Sequence, residues 1–385
     1  MSLSKSNVVL AVLAAALAVP TVLQLQKDRA TFVDAGRVPL LFDGFTADNV
    51  GRLRLRAPKK EQPAADPQNP QPKQVAYDEV VFAKTDKGWL FAEGDLQLAP
   101  VSKERIETDV MAHLRAIRAD RETLVVANAT TAQLEKYGLD EAHAFVVQAV
   151  DTTGRVVVAE LLVGNDAGGG QAGTDAVRGV FVRKSESTDV VLYELERGWL
   201  RSVQTEYWLD KVLAKLDPDR IHRFAIRNAA TAGTTFTFAR LDGKASWSAI
   251  EPPAGTGAVR QGEIEALVQR LRWIAAQDFR MPMQRAGNPV QLGLQPPQIE
   301  IEMVVRDGER DRTIKLAVGN RVEGKNEYYL TSNESAFLMT WPSGTVTPFE
   351  LDVRAQLFDP AAPPAEVPPV EKPGEKKDGD DKGGK

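Results

Sequence analysis

The hydrophobic and polar positions of this chain form a helical pattern that occurs twice. Apolar residues recur with a period of about 3.6 residues in two stretches, as expected for one face of an amphipathic helix. The two stretches are offset by 157 residues. Their apolar positions are Val110, Met111, Leu114 and Ile117, and then Leu267, Val268, Leu271 and Ile274. The pattern predicts one main helix in each half of the chain.

Alternating, β-branched runs typical of strands surround both predicted helices in the same order. Each half opens with an Asp-containing turn, at Asp43 and at Asp217, that precedes a short strand. The further runs are 79–84, 89–92, 144–150, 156–163, 180–183 and 190–195 in the first half, and 235–240, 247–250, 298–305, 313–318, 327–331 and 336–340 in the second. Because adjacent strands joined by short turns pair antiparallel, we predict an α+β fold in which one helix covers a mostly antiparallel sheet.

A glycine motif repeats with constant spacing. Tyr137-Gly138-Leu139-Asp140 is followed, 26 residues after its glycine, by the Gly164-Asn165 pair. Leu292-Gly293-Leu294-Gln295 is followed at the same spacing by Gly319-Asn320, and the offset between the two sets is 155 residues. This coincidence predicts two tandem copies of one module, which we place at residues 40–210 and 211–359.

The N-terminal segment is apolar. Asn7–Leu23 contains 17 residues, near the lower limit for a membrane-spanning helix, and Lys5 precedes it. We expect residues 1–30 to form a retained membrane anchor, although the small residues around Leu17 leave open a cleaved signal segment. A short leader that stays in the cytoplasm places the bulk of the chain outside, in the periplasm of a bacterial inner membrane.

Three other segments differ from the folded pattern. Residues 57–74 are rich in proline, lysine and glutamine and predict a loop inserted into a hairpin. Residues 166–175 predict a glycine-rich turn. Residues 360–385 contain mostly proline, lysine, aspartate and glycine, and they predict a disordered tail.

Composition excludes several classes of protein. The chain of 385 residues is 43% hydrophobic and 26% charged, which is typical of folded domains and long enough for two. Its 53 acidic residues outnumber 48 basic ones, so a nucleic-acid partner is not expected. Because it has no cysteine, disulfides, thiolate metal sites and thiol nucleophiles are excluded.

The sequence predicts no catalytic residue, no metal site and no cofactor, and it singles out no binding residues. The glycine-rich run 166–173 lacks the Lys-Ser/Thr pair of a phosphate-binding loop. His113, His143 and His222 have no histidine partner at helical spacing, and His113 with Asp109 is the one candidate ligand pair. No Gly-x-Ser-x-Gly elbow is present.

Six tryptophans offer two interpretations, core packing or a platform for a sugar. Trp89 and Trp247 occupy equivalent positions in the two halves, which favours core packing. Trp199, Tyr207 and Trp208 lie near the expected boundary, and we expect them to join the two modules or to contact a partner.

Several elements resemble an uncharacterised bacterial family, domain of unknown function 4340 (DUF4340). They are the Tyr137–Asp140 element, the strand that ends at Gly164, the following Phe181–Arg183, and the corresponding set in the second half. The resemblance covers roughly residues 42–358. It implies an N-terminal membrane segment and an extracytoplasmic accessory role, because members are often encoded beside ABC-transporter components of the gliding-motility type. It supplies no catalytic residues, and Gln295 replaces the acidic Asp140 in the second set.

These observations lead to one main hypothesis and one rival. The main hypothesis is a non-enzymatic, membrane-anchored envelope protein that binds envelope or ABC-transporter membrane proteins, and the sequence predicts no oligomeric state for it. The rival is an envelope carbohydrate-binding protein or glycan-acting enzyme. The main hypothesis predicts an apolar patch or an available strand edge, whereas the rival predicts carboxylates and aromatic rings that converge in one cleft.

Overall fold

The computed structural model describes residues 39–59, 75–168, 179–195, 199, 201–240, 246–308 and 310–360. The chain divides into two compact units, Met1–Asp210 and Lys211–Lys385. The expected anchor, most of the inserted loop, most of the glycine-rich turn and nearly all of the expected tail lie outside the described residues. Among the helices that are described, none has the length and apolar character required to cross a bilayer.

An eight-stranded antiparallel sheet forms the first unit. Its strands follow one another in space in the order β3-β2-β1-β5-β6-β7-β8-β4. The bounds are β1 Val50–Pro58, β2 Tyr77–Thr85, β3 Gly88–Phe91, β4 Leu124–Val126, β5 Phe145–Asp151, β6 Val157–Ala167, β7 Gly179–Lys184 and β8 Val190–Glu194. The predicted meander is therefore present as β5 to β8, whereas the edge strand β4 was not predicted.

The main helix of the first unit is continuous but changes its hydrogen-bond pattern. It consists of α1 (Lys103–Ile106), a π-helical segment (Glu107–Met111) and α2 (Ala112–Ala116). Its predicted apolar face is confirmed, because Val110, Met111, Leu114 and Ile117 are all buried. Two shorter helices, α3 (Thr131–Lys136) and α4 (Thr205–Trp208), complete the unit.

The second unit has a sheet with the equivalent strand order, β12-β11-β10-β16-β17-β18-β19-β15. The bounds are β10 Ile221–Asn228, β11 Phe236–Arg240, β12 Trp247–Ile250, β15 Asp278–Pro282, β16 Ile299–Asp307, β17 Arg310–Arg321, β18 Glu327–Ser332 and β19 Ser335–Pro342. Two small ribbons pair β9 (Val212–Lys215) with β14 (Trp273–Ala275), and β13 (Thr256–Val259) with β20 (Phe358–Pro360). Both units are thus dominated by antiparallel sheet with few helices.

The helix that corresponds to the second predicted apolar pattern is α5 (Gln261–Arg270). It is shorter than the pattern predicted, because Leu271 follows its last residue and Ile274 lies in strand β14. Two short helices, α6 (Ser343–Val346) and α7 (Val353–Leu357), follow the last strand of the sheet. Pro360, the first residue of the expected tail, belongs to strand β20, which pairs with β13.

The aromatic residues near residue 200 belong to the interior of the first unit. Trp208 is fully buried, its ring centre lies 5.3 Å from that of Phe82 with the two rings tilted, and its indole N–H donates to the Ser202 carbonyl at 3.0 Å. Trp199 is also buried. These contacts give both side chains a packing role within the unit. Trp89 and Trp247 are buried as well, which confirms their predicted role in the core.

Candidate functional site

The repeated glycine motif forms a turn, which in the first unit ends a helix. After α3, the Leu139 N–H donates to the Leu134 carbonyl at 2.8 Å, and the Gly138 N–H donates to Glu135 at 2.9 Å. This pair of bonds is a Schellman motif, which requires the left-handed backbone that Gly138 adopts at φ +67°. In the second unit, the turn that ends at Gly293 makes the same pair of bonds.

The Gly-Asn half of the motif anchors this turn to the sheet. The Asn165 N–H donates to the Tyr137 carbonyl at 2.8 Å, and its side-chain amide donates to the Lys136 carbonyl at 3.2 Å. Asn320 makes the corresponding bonds to Leu292 and Gln291, at 2.7 and 3.0 Å. The 26-residue spacing is therefore explained by these structural contacts.

A cluster of polar and aromatic side chains lies along the π-helical segment of the first unit. The Tyr207 hydroxyl donates to the Asp109 carboxylate, and the Arg105 guanidinium lies 4.5 Å from the centre of the Tyr207 ring. Burial, followed by the bond to Asp109, raises the pKa of Tyr207 to about 12. Tyr207 is therefore a protonated hydrogen-bond donor at neutral pH.

His113 lies one turn further along this helix and packs against aromatic rings. Its Nδ1 is 3.1 Å from the Tyr193 hydroxyl, and its ring centre is 4.6 Å from that of Trp199. Burial lowers the pKa of His113, although Asp109 opposes the shift. Asp109 and His113 thus have different partners, and the described residues contain no group of three or more side chains that could hold a metal ion.

The other two histidines take part in local contacts. His143 Nδ1 lies 2.7 Å from the Asp140 carboxylate, three residues earlier in the same turn. His222 Nε2 lies 3.3 Å from the Asp311 carboxylate. In the second unit Gln295 occupies the position of Asp140, so the second unit lacks this carboxylate.

Three of the four edges of the large sheets are protected against further pairing. The outer side of β3 is hydrogen-bonded to residues 98–101, through bonds such as Val101 N–H to the Trp89 carbonyl at 2.8 Å. On β12, the Gln261 side chain satisfies both backbone groups of Trp247, at 2.7 and 2.8 Å. Strand β15 contains Pro282, which has no N–H.

The fourth edge, β4, lacks these devices, although its outward Leu124 N–H is already engaged, since it donates to the Asp120 carbonyl at 3.0 Å. Strand β4 consists of Leu124, Val125 and Val126, with neither proline nor a charged side chain. Leu124 and Val125 are 39% and 40% exposed. Among the described residues, β4 pairs only with β8. It is an apolar edge strand that can accept an added strand, but its three residues leave few backbone groups open for pairing.

A depression of about 190 Å³ adjoins this edge, between the end of the main helix and β8. It is lined by Ala116, Arg118, Glu122, Thr123, Leu192, Tyr193 and Glu194. We call β4 together with this depression the β4 surface. It is our candidate functional site because it combines exposed apolar side chains, a strand edge without proline or charged side chains, and charged groups.

Two further depressions of the first unit are larger, and several of their acidic side chains are already paired within the protein. One of about 330 Å³ contains Glu79 and Glu93, but each carboxylate is ion-paired, with Arg54 at 2.9 Å and with Arg52. The other, of about 320 Å³, contains Glu160, which accepts a hydrogen bond from Gln148 at 2.6 Å. These carboxylates serve structural polar contacts.

The fold and the site define a mostly antiparallel β protein of two units whose exposed edge is apolar. The family model described as Domain of unknown function (DUF4340) matches residues 97–297, slightly more than half of the chain, and the chain belongs to this family. The match begins in the first unit and ends in the second, a narrower range than the sequence resemblance suggested. No curated protein and no solved structure matches the chain.

Proposed function

We propose that this chain is a non-enzymatic, membrane-anchored envelope protein that binds partner proteins through the β4 surface. The observation that carries the proposal is the contrast between β4 and the three protected edges. Native proteins protect sheet edges because an open edge pairs with other chains. An edge that stays apolar and accessible is therefore suited to a partner that adds a strand.

We place the chain at the bacterial inner membrane, with residues 1–30 as its anchor and its bulk in the periplasm. The support is the apolar N-terminal run Asn7–Leu23 and the family membership. The partners we propose are envelope proteins or subunits of an ABC-type or gliding-type transport complex. This assignment of partners rests on the family resemblance alone.

We further propose that the two units are tandem copies of one module. The support is the equivalent strand order of their sheets and the repetition of the Gly-Asn contact in each unit. Of the equivalent edge strands β4 and β15, only β4 has neither a proline nor a charged side chain. The difference in sequence between β4 and β15 would let the first copy bind the partner while the second copy has a structural role.

The rival, a carbohydrate-binding protein or glycan-acting enzyme, has weaker support. Five of the six tryptophans are buried, so they offer no stacking face to a sugar. Trp273 is the exception, at 54% exposure, and the Lys215 ammonium lies 4.5 Å from the centre of its ring. A single exposed ring beside a lysine does not form a platform for a polymer.

Site-specific photo-crosslinking in the native cells tests the proposal. A photoreactive residue replaces Val125 in the full-length chain, and a second chain carries it at Met281 as the matched control. Met281 is 37% exposed and lies on the protected edge β15. We expect adducts with an envelope membrane protein at position 125 and not at position 281, and we expect Leu124→Lys to abolish them.

Two results would contradict the proposal. The first is adducts of equal yield at both positions, since edge pairing predicts a strong preference for β4. The second is binding of the purified full chain to cell-wall glycan that depends on Trp273, since this would favour the rival.

A further inference from the structure

The size of the depression beside β4 limits what it can hold. Pockets for whole small molecules typically measure about 300 to 1,000 Å³. At about 190 Å³ the depression is smaller, and it is partly open and lined by Thr123, the residue before β4. These dimensions suit one long side chain of a segment that is already held along β4.

The charges around the depression favour a basic side chain. Its ionisable lining residues are Arg118, Glu122 and Glu194. The Arg118 guanidinium is already paired with Asp120 at 2.6 Å and lies 3.9 Å from Glu122. Within the described part of the chain Glu194 has no ion pair, so the net charge of the described residues around the depression is negative.

One wall of the depression adds an aromatic ring. Tyr193 lines it, and its hydroxyl is held by the contact with His113 at 3.1 Å. Burial raises the pKa of Tyr193, so the ring stays neutral at physiological pH. A cation close to a tyrosine ring is attracted electrostatically to the face of the ring.

The depression also lies beside the chain that leads to the N-terminal segment. Leu40 pairs with Arg118, and the Ala119 N–H donates to the Pro39 carbonyl at 2.9 Å. Fifteen residues separate Leu23 from Pro39. A fully extended chain of that length spans roughly 50 Å, so the β4 surface stays within that distance of the proposed anchor.

We infer that the β4 surface binds an extended segment of a partner membrane protein in which a lysine or arginine alternates with apolar residues. This inference rests on the proposed function and adds the chemistry of the partner. The apolar residues contact Leu124 and Val125, and the basic side chain enters the depression beside Tyr193, Glu122 and Glu194.

Fluorescence anisotropy with three labelled octapeptides tests the inference, with the full-length chain in detergent micelles. The peptides alternate valine and threonine and differ at one central position, which holds lysine, glutamine or glutamate. We expect the lysine peptide to bind at least tenfold more tightly than the glutamate peptide, with the glutamine peptide between them.

Two double variants locate the preference. Glu122→Gln with Glu194→Gln should reduce the difference between the lysine and glutamate peptides to about twofold, since it removes two charges beside the bound side chain. Glu104→Gln with Glu135→Gln removes the same charge from exposed positions that do not line the depression, and it should leave the preference intact.

The outcomes separate this inference from the proposed function. If the glutamate peptide binds as tightly as the lysine peptide, or if the preference survives Glu122→Gln with Glu194→Gln, the inference that the partner segment is basic is wrong. The edge itself still stands in that case provided that Val125→Lys weakens the binding of all three peptides. If no peptide binds the wild-type chain, this inference fails, and the crosslinking at position 125 decides the edge separately.

Discussion

Gly138 and Asn165 lie so close that a Cβ atom on the glycine would come within 2.6 Å of the Asn165 side-chain oxygen. Gly138 also needs a positive φ of 67°, so both its backbone and its surroundings exclude a side chain. This relationship joins the end of α3 to β6. It explains why glycine and asparagine recur together in both units.

Replacement of Gly138 by alanine should destabilise the first unit. We expect the free energy of unfolding to fall by about 3 kcal/mol, because the left-handed backbone and the contact with Asn165 both disfavour a Cβ atom. Gly154→Ala is the matched control. Gly154 has a similar φ of 73° but nothing within 4 Å, so about 1 kcal/mol is expected. Urea unfolding measures both, and equal losses would show that the Asn165 contact is unimportant.

Gly164→Ala and Gly319→Ala should each affect only their own unit. A Cβ atom at either position would overlap a backbone carbonyl, that of Tyr137 in the first unit and that of Leu292 in the second. We expect a loss of roughly 3 kcal/mol in each case. Hydrogen exchange followed by mass spectrometry distinguishes the units. Faster exchange in both units from one substitution would contradict independent packing.

Asn228→Asp should destabilise the second unit. The buried Asn228 amide donates to the Phe349 and Leu351 carbonyls, each at 2.8 Å. A carboxylate cannot donate these bonds, so we expect the free energy of unfolding to fall by roughly 3 kcal/mol. Asn288→Asp is the control, because the Asn288 side chain accepts a bond from the Val290 N–H and a carboxylate also accepts it. Similar losses in thermal unfolding of the two variants would contradict this account.

The stability of the first unit should depend on pH through His113. Its pKa in the folded chain is lowered by burial, whereas an unfolded histidine titrates near about 6.5. As the pH falls through that value the unfolded chain binds more protons, so the free energy of unfolding decreases. Urea unfolding at pH 7.5 and 5.5 should show a smaller decrease for His113→Gln than for the wild-type chain. An unchanged decrease would exclude His113 as a source of the effect.

Trp273 should dominate the quenching of tryptophan fluorescence by acrylamide, because the other five indoles are buried. We expect Trp273→Phe to remove most of the quenchable emission. Trp341→Phe, which replaces a buried ring, should leave it unchanged. If Trp273→Phe retains the quenchable emission, then another tryptophan is accessible and the rival function regains support.

Hydrophobic periodicity predicted the main elements because most of them bury one face. In β1, Leu53 and Leu55 are buried while the arginines between and beside them are only partly covered, which is the alternation the sequence shows. The same reasoning located the main helices. It did not reveal the π-helical segment Glu107–Met111, since an apolar stripe at this spacing fits either hydrogen-bond pattern.

Short elements were missed for a physical reason. Strand β4 contains only three residues, too few to display alternation, and two of its side chains, Leu124 and Val125, are exposed rather than half buried. Helix α3 was also missed, although the capping box formed by Thr130 and Gln133 was a local signal for its start. The depression could not be predicted from the sequence, because Arg118 and Glu194 are brought to the same depression only by the pairing of β4 with β8.

The distribution of protected edges limits how the described sheets can assemble. If β3, β12 and β15 resist pairing, each molecule offers one sheet edge to another chain. Two copies can then join edge to edge at β4, but such a pair has no second large-sheet edge with which to recruit a third copy. Edge pairing of these sheets would therefore stop at two copies and would not build ordered fibres. A partner strand bound to β4 would also block the pairing of two copies.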